Sequence, residues 1–294
     1  MSKQHFSRTS VLAATAMLCF AANSILCRLA LAPKLIDAAT FTTLRVLSAA
    51  TMLTLIICLQ HRRLPRLRSA NPLSVVALFG YLVFFSFAYL RLDAGTGALI
   101  LIGAVQLCMF SIAFWEGERF TPAQWLGLGL ALFGFGYLLL PGVSAPTPWA
   151  AALMMISGAA WGWFSLLARG AKHPLEVNAS NLLCCLLPSV VVNLFAGHNL
   201  EATPAGVLLA TASGAIATGL GYVVWYLALR GLPAAGAATV QLSMPALVAL
   251  GGTAFLAEPL SQRLVVASVA LLGGIALVLT RRIDASGGDR RKSF

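Results

Sequence analysis

Arg45 and three side-chain amides lie inside long apolar runs of this 294-residue sequence. The amides belong to Asn23, Gln106 and Gln241. A guanidinium and amide groups can hydrogen-bond the carboxylate and the other polar ends of a small organic molecule. Because polar groups are costly to keep in apolar surroundings, these four residues are candidates for binding a solute.

Each of these residues also has a structural interpretation. Arg45 lies about seven residues into its run, which is roughly 11 Å along a helix at 1.5 Å per residue. Instead of binding a substrate carboxylate, its side chain could extend outward and hydrogen-bond helix-end carbonyls, Asp37 or Asp93. The amides could link neighbouring helices. The residues alone leave both interpretations open.

Aromatic residues form a second candidate set. Trp and Tyr at the ends of membrane spans usually lie at the lipid–water interface, which suits Trp115, Trp125 and Trp149. Deeper rings can form the flat apolar walls of a site for organic solutes. The residues in this deeper set are Tyr81, Trp161, Trp163, Tyr222, Trp225 and Tyr226.

The ionisable residues that acid–base chemistry needs are absent from the middle of the apolar runs. All nine Asp and Glu residues lie in polar connections, tails or run ends, and the four His residues lie outside the runs. No Ser–His pair or metal-ligand spacing occurs, so we predict no enzyme activity, no metal and no cofactor. A carrier that exchanges protons for organic cations needs a buried carboxylate. A neutral, zwitterionic or anionic solute therefore fits the sequence better.

The composition indicates a membrane protein. Hydrophobic residues make up 59% of the chain and charged residues only 10%, whereas an ordinary soluble domain has about 25% charged residues. The mean hydropathy is +0.87. Runs that cross lipid must be helical, because an open sheet would leave backbone groups unpaired. We predict an all-α membrane protein with ten spans, over Ser10–Ala30, Ala38–Leu59, Leu73–Leu90, Gly95–Phe114, Ala123–Leu140, Trp149–Ala168, Ala179–Phe195, Ala205–Leu229, Ala234–Phe255 and Leu264–Leu279.

The basic residues predict the orientation of these spans. Most of the 20 Lys and Arg residues fall in connections on the side of the N-terminus. Both termini are therefore predicted to be cytoplasmic. Since the net charge of +11 arises from these connections, it does not indicate nucleic-acid binding. The basic, Gly-rich tail, residues 281–294, is predicted to be disordered.

The chain contains an internal repeat. Residues 227–279 repeat residues 87–139 without a gap, with Ala228 matching Ala88, Glu258 matching Glu118 and other identities between them. A repeat of this length indicates two halves. We place them at residues 10–140 and 149–280, joined by a Pro-rich linker, residues 141–148. Because each half has an odd number of spans, the second must be inverted relative to the first.

These features resemble the drug/metabolite transporter superfamily, and specifically its EamA-type members with ten helices in two five-helix halves. The first half matches through Arg45, Gly117-Glu118 and Gly134. The second half matches more closely, through Ala228-Leu229-Arg230, Pro245-Ala246-Leu247, Ala257-Glu258-Pro259-Leu260 and Gly273-Gly274.

The resemblance carries expectations about the site. It implies that helices 1, 3, 4, 6, 8 and 9 surround a central cavity, into which the three amides could project. Family members commonly have an Arg at position 45 whatever they carry, which favours a structural role for Arg45. The sequence also departs from the family. Pro245 stands where the first half has Val105, so only one of this helix pair should be kinked. Phe20-Ala21-Ala22-Asn23 stands where exporters of aromatic amino acids often carry Trp.

We therefore expect an inner-membrane secondary transporter that exports small organic metabolites, chiefly amino acids or related zwitterions, by alternating access. Its partners would be the small-molecule substrate and the lipid bilayer, with no nucleic acid, and the protein would be a monomer. One alternative is a multidrug or toxic-compound exporter. An alternative of another class is a non-transporting membrane receptor or assembly subunit.

Overall fold

The computed structural model describes residues 3–117, 120–142, 145–168, 171–196, 202–232 and 234–289. Within these ranges every regular element is helical. A single 3-10 turn, Leu67–Ser69, and a π segment, Ser213–Leu220, accompany the α-helices. The α-helices are α1 (Lys3–Leu31), α2 (Ala38–His61), α3 (Pro72–Ala88), α4 (Ala94–Trp115), α5 (Pro122–Leu139), α6 (Pro148–Leu167), α7 (Pro174–Ala196), α8 (Pro204–Ala212), α9 (Gly221–Leu229), α10 (Ala234–Gln241), α11 (Met244–Leu256) and α12 (Gln262–Asp289).

Side-chain caps begin several of these helices. Asp37 accepts a hydrogen bond from the Thr40 backbone N–H at the start of α2, and the Ser261 hydroxyl accepts one from Leu264 at the start of α12. Thr121 and Gln124 form a capping box at the start of α5, with proline at the first helical position. Such caps satisfy N–H groups that have no partner inside the helix.

The predicted spans are present as helices in the described part of the chain. Nine helices there are long and apolar enough to cross a membrane. The tenth predicted span is α3, which has 17 residues and is shorter than the others. Helix α12 is described as far as Asp289. Residues 290–294 of the basic tail lie outside the described residues.

Two predicted spans are not regular helices. The predicted kink in the span over residues 234–255 is present as a break, because α10 ends at Gln241 and α11 begins at Met244. Pro245 has no N–H, and its ring clashes with the carbonyl four residues earlier. Helix α4 runs without interruption through Val105, so the predicted difference between the halves is confirmed. The eighth span contains the π segment, which the sequence analysis did not predict.

The two halves pack helix against helix. Helix α5 packs on α12, α4 on α11, α2 on α7, and α3 on α6, while α1 packs on the π segment and α9. If each helix is replaced by the equivalent helix of the other half, these pairs are unchanged. For example, α3 on α6 becomes the π segment and α9 on α1. This is the pattern that a two-fold relation between the halves requires.

Glycines bring α5 and α12 into backbone contact. A methyl group at Gly134 would lie 2.7 Å from the Leu271 backbone nitrogen, and one at Gly127 would lie 2.7 Å from the Gly274 carbonyl oxygen. These glycines therefore allow close packing of the two helices. An added methyl group at Gly129, Gly136 or Gly273 would meet nothing within 4 Å, so these glycines take no part in that contact.

This difference between neighbouring glycines gives a matched test. We expect Gly134→Leu to lower the stability of the purified protein by about 1–3 kcal/mol, because the new side chain must displace backbone of α12. Gly136→Leu should leave stability unchanged or higher, since leucine favours helix and meets open space. Thermal unfolding in detergent measures both. Equal losses in the two variants would contradict the contact described.

Candidate functional site

Arg45 lies in the interior of α2 with only 1% of its surface exposed. Its Nη2 donates a hydrogen bond to the Tyr81 hydroxyl at 3.1 Å, and its Nε donates one to the Thr218 hydroxyl at 3.4 Å. The guanidinium carbon lies 4.9 Å from the ring centre of Phe85 and 5.4 Å from that of Tyr81. Helices α2 and α3 and the π segment thus meet at one buried cation.

No acidic side chain in the described residues pairs with Arg45. The described ion pairs involve Arg28 and Arg63 instead, and the buried Nη1 of Arg45 has no hydrogen-bond partner within the described part of the chain. The interpretation in which Arg45 extends outward to Asp37 or Asp93 is wrong. Asp37 caps α2, and Asp93 pairs with Arg28. Hydroxyls and ring faces offset only part of the several kcal/mol that burying an unpaired charge costs. An anion is the partner this position lacks.

Aromatic rings extend from Arg45 across the bundle. Tyr81 on α3 contacts Trp161 on α6, with ring centres 4.8 Å apart, and Trp161 stacks on Tyr222 of α9 at 5.7 Å. Tyr222 in turn contacts Tyr226 at 6.1 Å. We call this group the central cluster. It consists of Arg45, its contacts Tyr81, Phe85 and Thr218, and the adjoining rings of Trp161 and Tyr222.

Other predicted aromatics lie at the edge of this cluster or outside it. Trp225 is buried and connects to Tyr222 through Phe20 of α1, whose ring lies 5.9 Å from Tyr222 and 6.1 Å from Trp225. Trp163 is 37% exposed and shares no described ring contact with the cluster. Two residues along a helix point about 200° apart, so Trp161 and Trp163 cannot both face Arg45.

The three predicted amides are not brought together. The Asn23 Oδ1 accepts a hydrogen bond of 2.7 Å from the Ser213 hydroxyl, which links α1 to the π segment. Gln106 is buried beside a void of about 10 Å³ lined by residues of α4, α5 and α12, among them Phe135 and Leu271. Gln241 is half-buried at the end of α10. No described contact joins Gln106 or Gln241 to the central cluster.

Two members of the central cluster, Phe85 and Thr218, and the adjoining Phe20 were not predicted from the sequence. Phe20 and Phe85 carry no signal in a sequence rich in apolar residues, and Thr218 is one of many small hydroxyl residues. The π segment explains how Thr218 reaches Arg45. Gly214 within it lies directly against the backbone carbonyl of Arg45 and the Ser48 hydroxyl, where any side chain would clash. A glycine at this position lets the π segment approach α2 closely.

A second polar group lies at the end of the bundle where α1 ends, which the topology predicts to be extracytoplasmic. Arg28 near the end of α1 donates from Nε to Glu258 Oε1 at 3.0 Å, and from Nη2 to Asp93 Oδ1 at 3.4 Å. Its Nη1 donates to the Tyr89 carbonyl. The second carboxylate oxygen of Glu258 accepts from the Ala94 N–H at 2.7 Å. We call these residues the outer network.

The contact between Arg28 and Glu258 was not predicted from the sequence. Glu258 belongs to the second half, whereas Arg28, Tyr89, Asp93 and Ala94 belong to the first. At the opposite end, Arg63 donates to both carboxylate oxygens of Glu176, at 2.8 and 2.9 Å. Each end of the bundle therefore has an ion pair that joins the halves.

Known proteins share the sequence pattern and the fold of this chain. Residues 7–140 and 148–280 each match the EamA-like transporter family. An uncharacterized protein of Pseudomonas aeruginosa is 48% identical over 96% of this chain and 98% of its own length. An uncharacterized transporter of Archaeoglobus fulgidus is 28% identical over 82% of this chain and 88% of its own length.

Two further matches are more distant. The uncharacterized inner membrane transporter YedA of Escherichia coli (strain K12) is 26% identical over 64% of this chain and 59% of its own length. A protein known from a crystal structure shares 21% identity and superposes with a TM-score of 0.64 over 94% of this chain and 99% of that chain. This last similarity shows that the fold is shared.

The unpaired charge of Arg45 makes a prediction about stability. We expect Arg45→Met to leave the stability of the ligand-free protein unchanged or higher, because an apolar side chain of similar length removes a buried charge. Arg28→Met should lower stability by about 1–3 kcal/mol, because it leaves the Glu258 carboxylate without its cation. Thermal unfolding without added solute compares the two. A larger loss for Arg45→Met than for Arg28→Met would show that Arg45 serves chiefly to hold the fold.

Proposed function

The chain belongs to the EamA-like transporter family, and from this premise we propose that it exports small organic metabolites that carry a carboxylate, chiefly amino acids or related zwitterions. The protein is a multi-pass inner-membrane transporter. The finer assignment concerns its substrate and the direction and mechanism of transport.

The buried, unpaired guanidinium of Arg45 is the observation that carries the proposal. A substrate carboxylate beside Nη1 would supply the missing partner in a charge-assisted hydrogen bond. The binding of an anion there would also offset the cost of the buried charge. A cation would instead be repelled, so organic cations fit this position poorly.

The surrounding rings suit the rest of such a molecule. Tyr81, Trp161 and Tyr222 offer flat apolar walls to hydrocarbon. The faces of the same rings can accept an ammonium group through cation–π contacts. A zwitterion could therefore place its carboxylate at Arg45 and its ammonium over a ring, without needing an acidic side chain.

The arrangement of the halves supports alternating access. The central cluster lies between them and is largely buried, with Tyr81 8% and Tyr222 4% exposed. A solute can therefore reach Arg45 only if one end of the bundle opens. The Arg28–Glu258 pair and the Arg63–Glu176 pair hold opposite ends, so either end could open while the other stays paired.

Transport by purified protein in proteoliposomes tests the proposal. We expect flux of one or more amino acids and little flux of the matching amines, which differ only by lacking the carboxylate. Arg45→Gln should lower the transport of the amino acid about 10- to 100-fold, the effect of losing a charge-assisted hydrogen bond. Arg68→Gln, at an exposed position, is the matched control and should transport normally.

Three results would overturn the proposal in different ways. Absence of flux for every solute in a broad panel would favour a receptor or assembly subunit. Equal flux of amines and amino acids would favour the multidrug exporter. Unchanged amino acid transport by Arg45→Gln would remove Arg45 from the binding site.

A further inference from the structure

Glu258 in the outer network stabilises a helix of the other half. Asp93 occupies the N-cap position of α4, yet its side chain makes no capping hydrogen bond. The Glu258 carboxylate accepts from the Ala94 N–H instead. A negative charge at a helix N-terminus is favourable because of the helix dipole. The second half thus caps and charge-balances the start of a helix in the first half.

The backbone around Glu258 fixes this position. Ala257 has a left-handed conformation, with φ at 53°, and ends α11. The Glu258 N–H then donates to the Gly252 carbonyl at 3.2 Å. A methyl group at Gly252 would lie only 2.9 Å from Glu258 Oε2. The carboxylate is therefore held directly over the outer end of α11, where that helix packs on α1 and α4.

Glu258 shares its bonded cation with a second carboxylate. Arg28 on α1 is the one cation bonded to it among the described residues, and Arg28 is shared with Asp93 of the α3–α4 connection. Arg91 and Asp93 line the adjoining cavity of about 220 Å³, together with Glu258 and Ser261. The Tyr89 phenol lies behind the network and donates to the Ala94 carbonyl. Two carboxylates therefore depend on a single guanidinium.

Glu258 can exchange a proton with the outer solution. Its side chain is 13% exposed, whereas that of Asp93 is 57% exposed. Burial raises the pKa of Glu258, and the negative charge of Asp93 raises it further, against the lowering effect of Arg28 and the Ala94 N–H. The adjoining cavity gives water a route to the carboxylate.

We infer that Glu258 is a proton-binding site that releases the outer end of the transporter, an inference that rests on the alternating access proposed above. One proton from the outer solution binds the carboxylate, which changes its charge from −1 to 0. Arg28 keeps its bonds to Asp93 and to the Tyr89 carbonyl, which belong to the same half as Arg28. The charged link between the halves is thereby lost, and so is the anionic cap on α4. The outer end is then free to open.

A cysteine buried beneath the network can report this opening without any substrate. Val248 on α11 is fully buried and lies one turn deeper than Gly252. Val248→Cys is introduced into the full chain, and labelling by a maleimide is followed in detergent between about pH 5 and pH 8. In this background the native cysteines are replaced by Ala, at Cys19, Cys27, Cys58, Cys108, Cys184 and Cys185.

The labelling rates of the Val248→Cys protein are compared with those of a second protein that carries both Val248→Cys and Glu258→Gln. Both proteins carry the same thiol, so its own pH-dependent reactivity cancels when the two labelling rates are compared at the same pH. At about pH 8 we expect Glu258→Gln to be labelled at least about tenfold faster, because the link is absent. The difference should vanish as the pH falls through the pKa of Glu258, on the alkaline side of an ordinary glutamate. Asp93→Asn removes the other carboxylate bonded to Arg28 and should keep a pH-dependent ratio, shifted to lower pH because the charge of Asp93 raises the pKa of Glu258.

The outcomes separate this inference from the proposed function. A ratio of the two labelling rates that stays the same from about pH 5 to pH 8 overturns the proton site alone. Failure of the thiol to react at any pH in any variant, although it reacts after denaturation, overturns opening at this end. That result would contradict alternating access as well.

Discussion

A guanidinium held inside a membrane-spanning bundle, with no countercharge among the described residues, is the constraint on which the centre of this protein depends. Arg45 is tolerated there because hydroxyls of Tyr81 and Thr218 and the ring of Phe85 contact it. Those contacts in turn require α3 and the π segment to lie close to α2, and Gly214 permits the closest approach. The chemistry of the site and the packing of three elements therefore have one physical cause.

The two halves share a plan but not their charges. Their helices pair in a pattern that survives exchange of the halves, yet Arg45 lies in the first half and the break at Pro245 lies in the second. Ion pairs join the halves at the two ends, and the aromatic rings join them at the centre. The symmetric features account for the framework, whereas the proposed binding chemistry and the proposed control of the ends rest on the asymmetric ones.

Apolar runs, cap residues and the repeat were sufficient to predict the helices, since these features are local or periodic. Arg45 was identifiable because a charge is rare in such surroundings. Its partners were not, because Thr218 lies far along the chain and Phe85 resembles any other apolar residue. Arg28 and Glu258 each look like an ordinary charge at a helix end, so only the folded chain reveals their pairing. The helical period could have separated Trp161 from Trp163.

The glycine contact between α5 and α12 has a mechanical consequence. An interface of backbone against backbone has no rotamers to rearrange, unlike the ring contacts at the centre. It lies between the last helices of the two halves. In the alternating access proposed above, this contact would stay fixed while the halves turn about it, and the displacement of every other helix would grow with its distance from it.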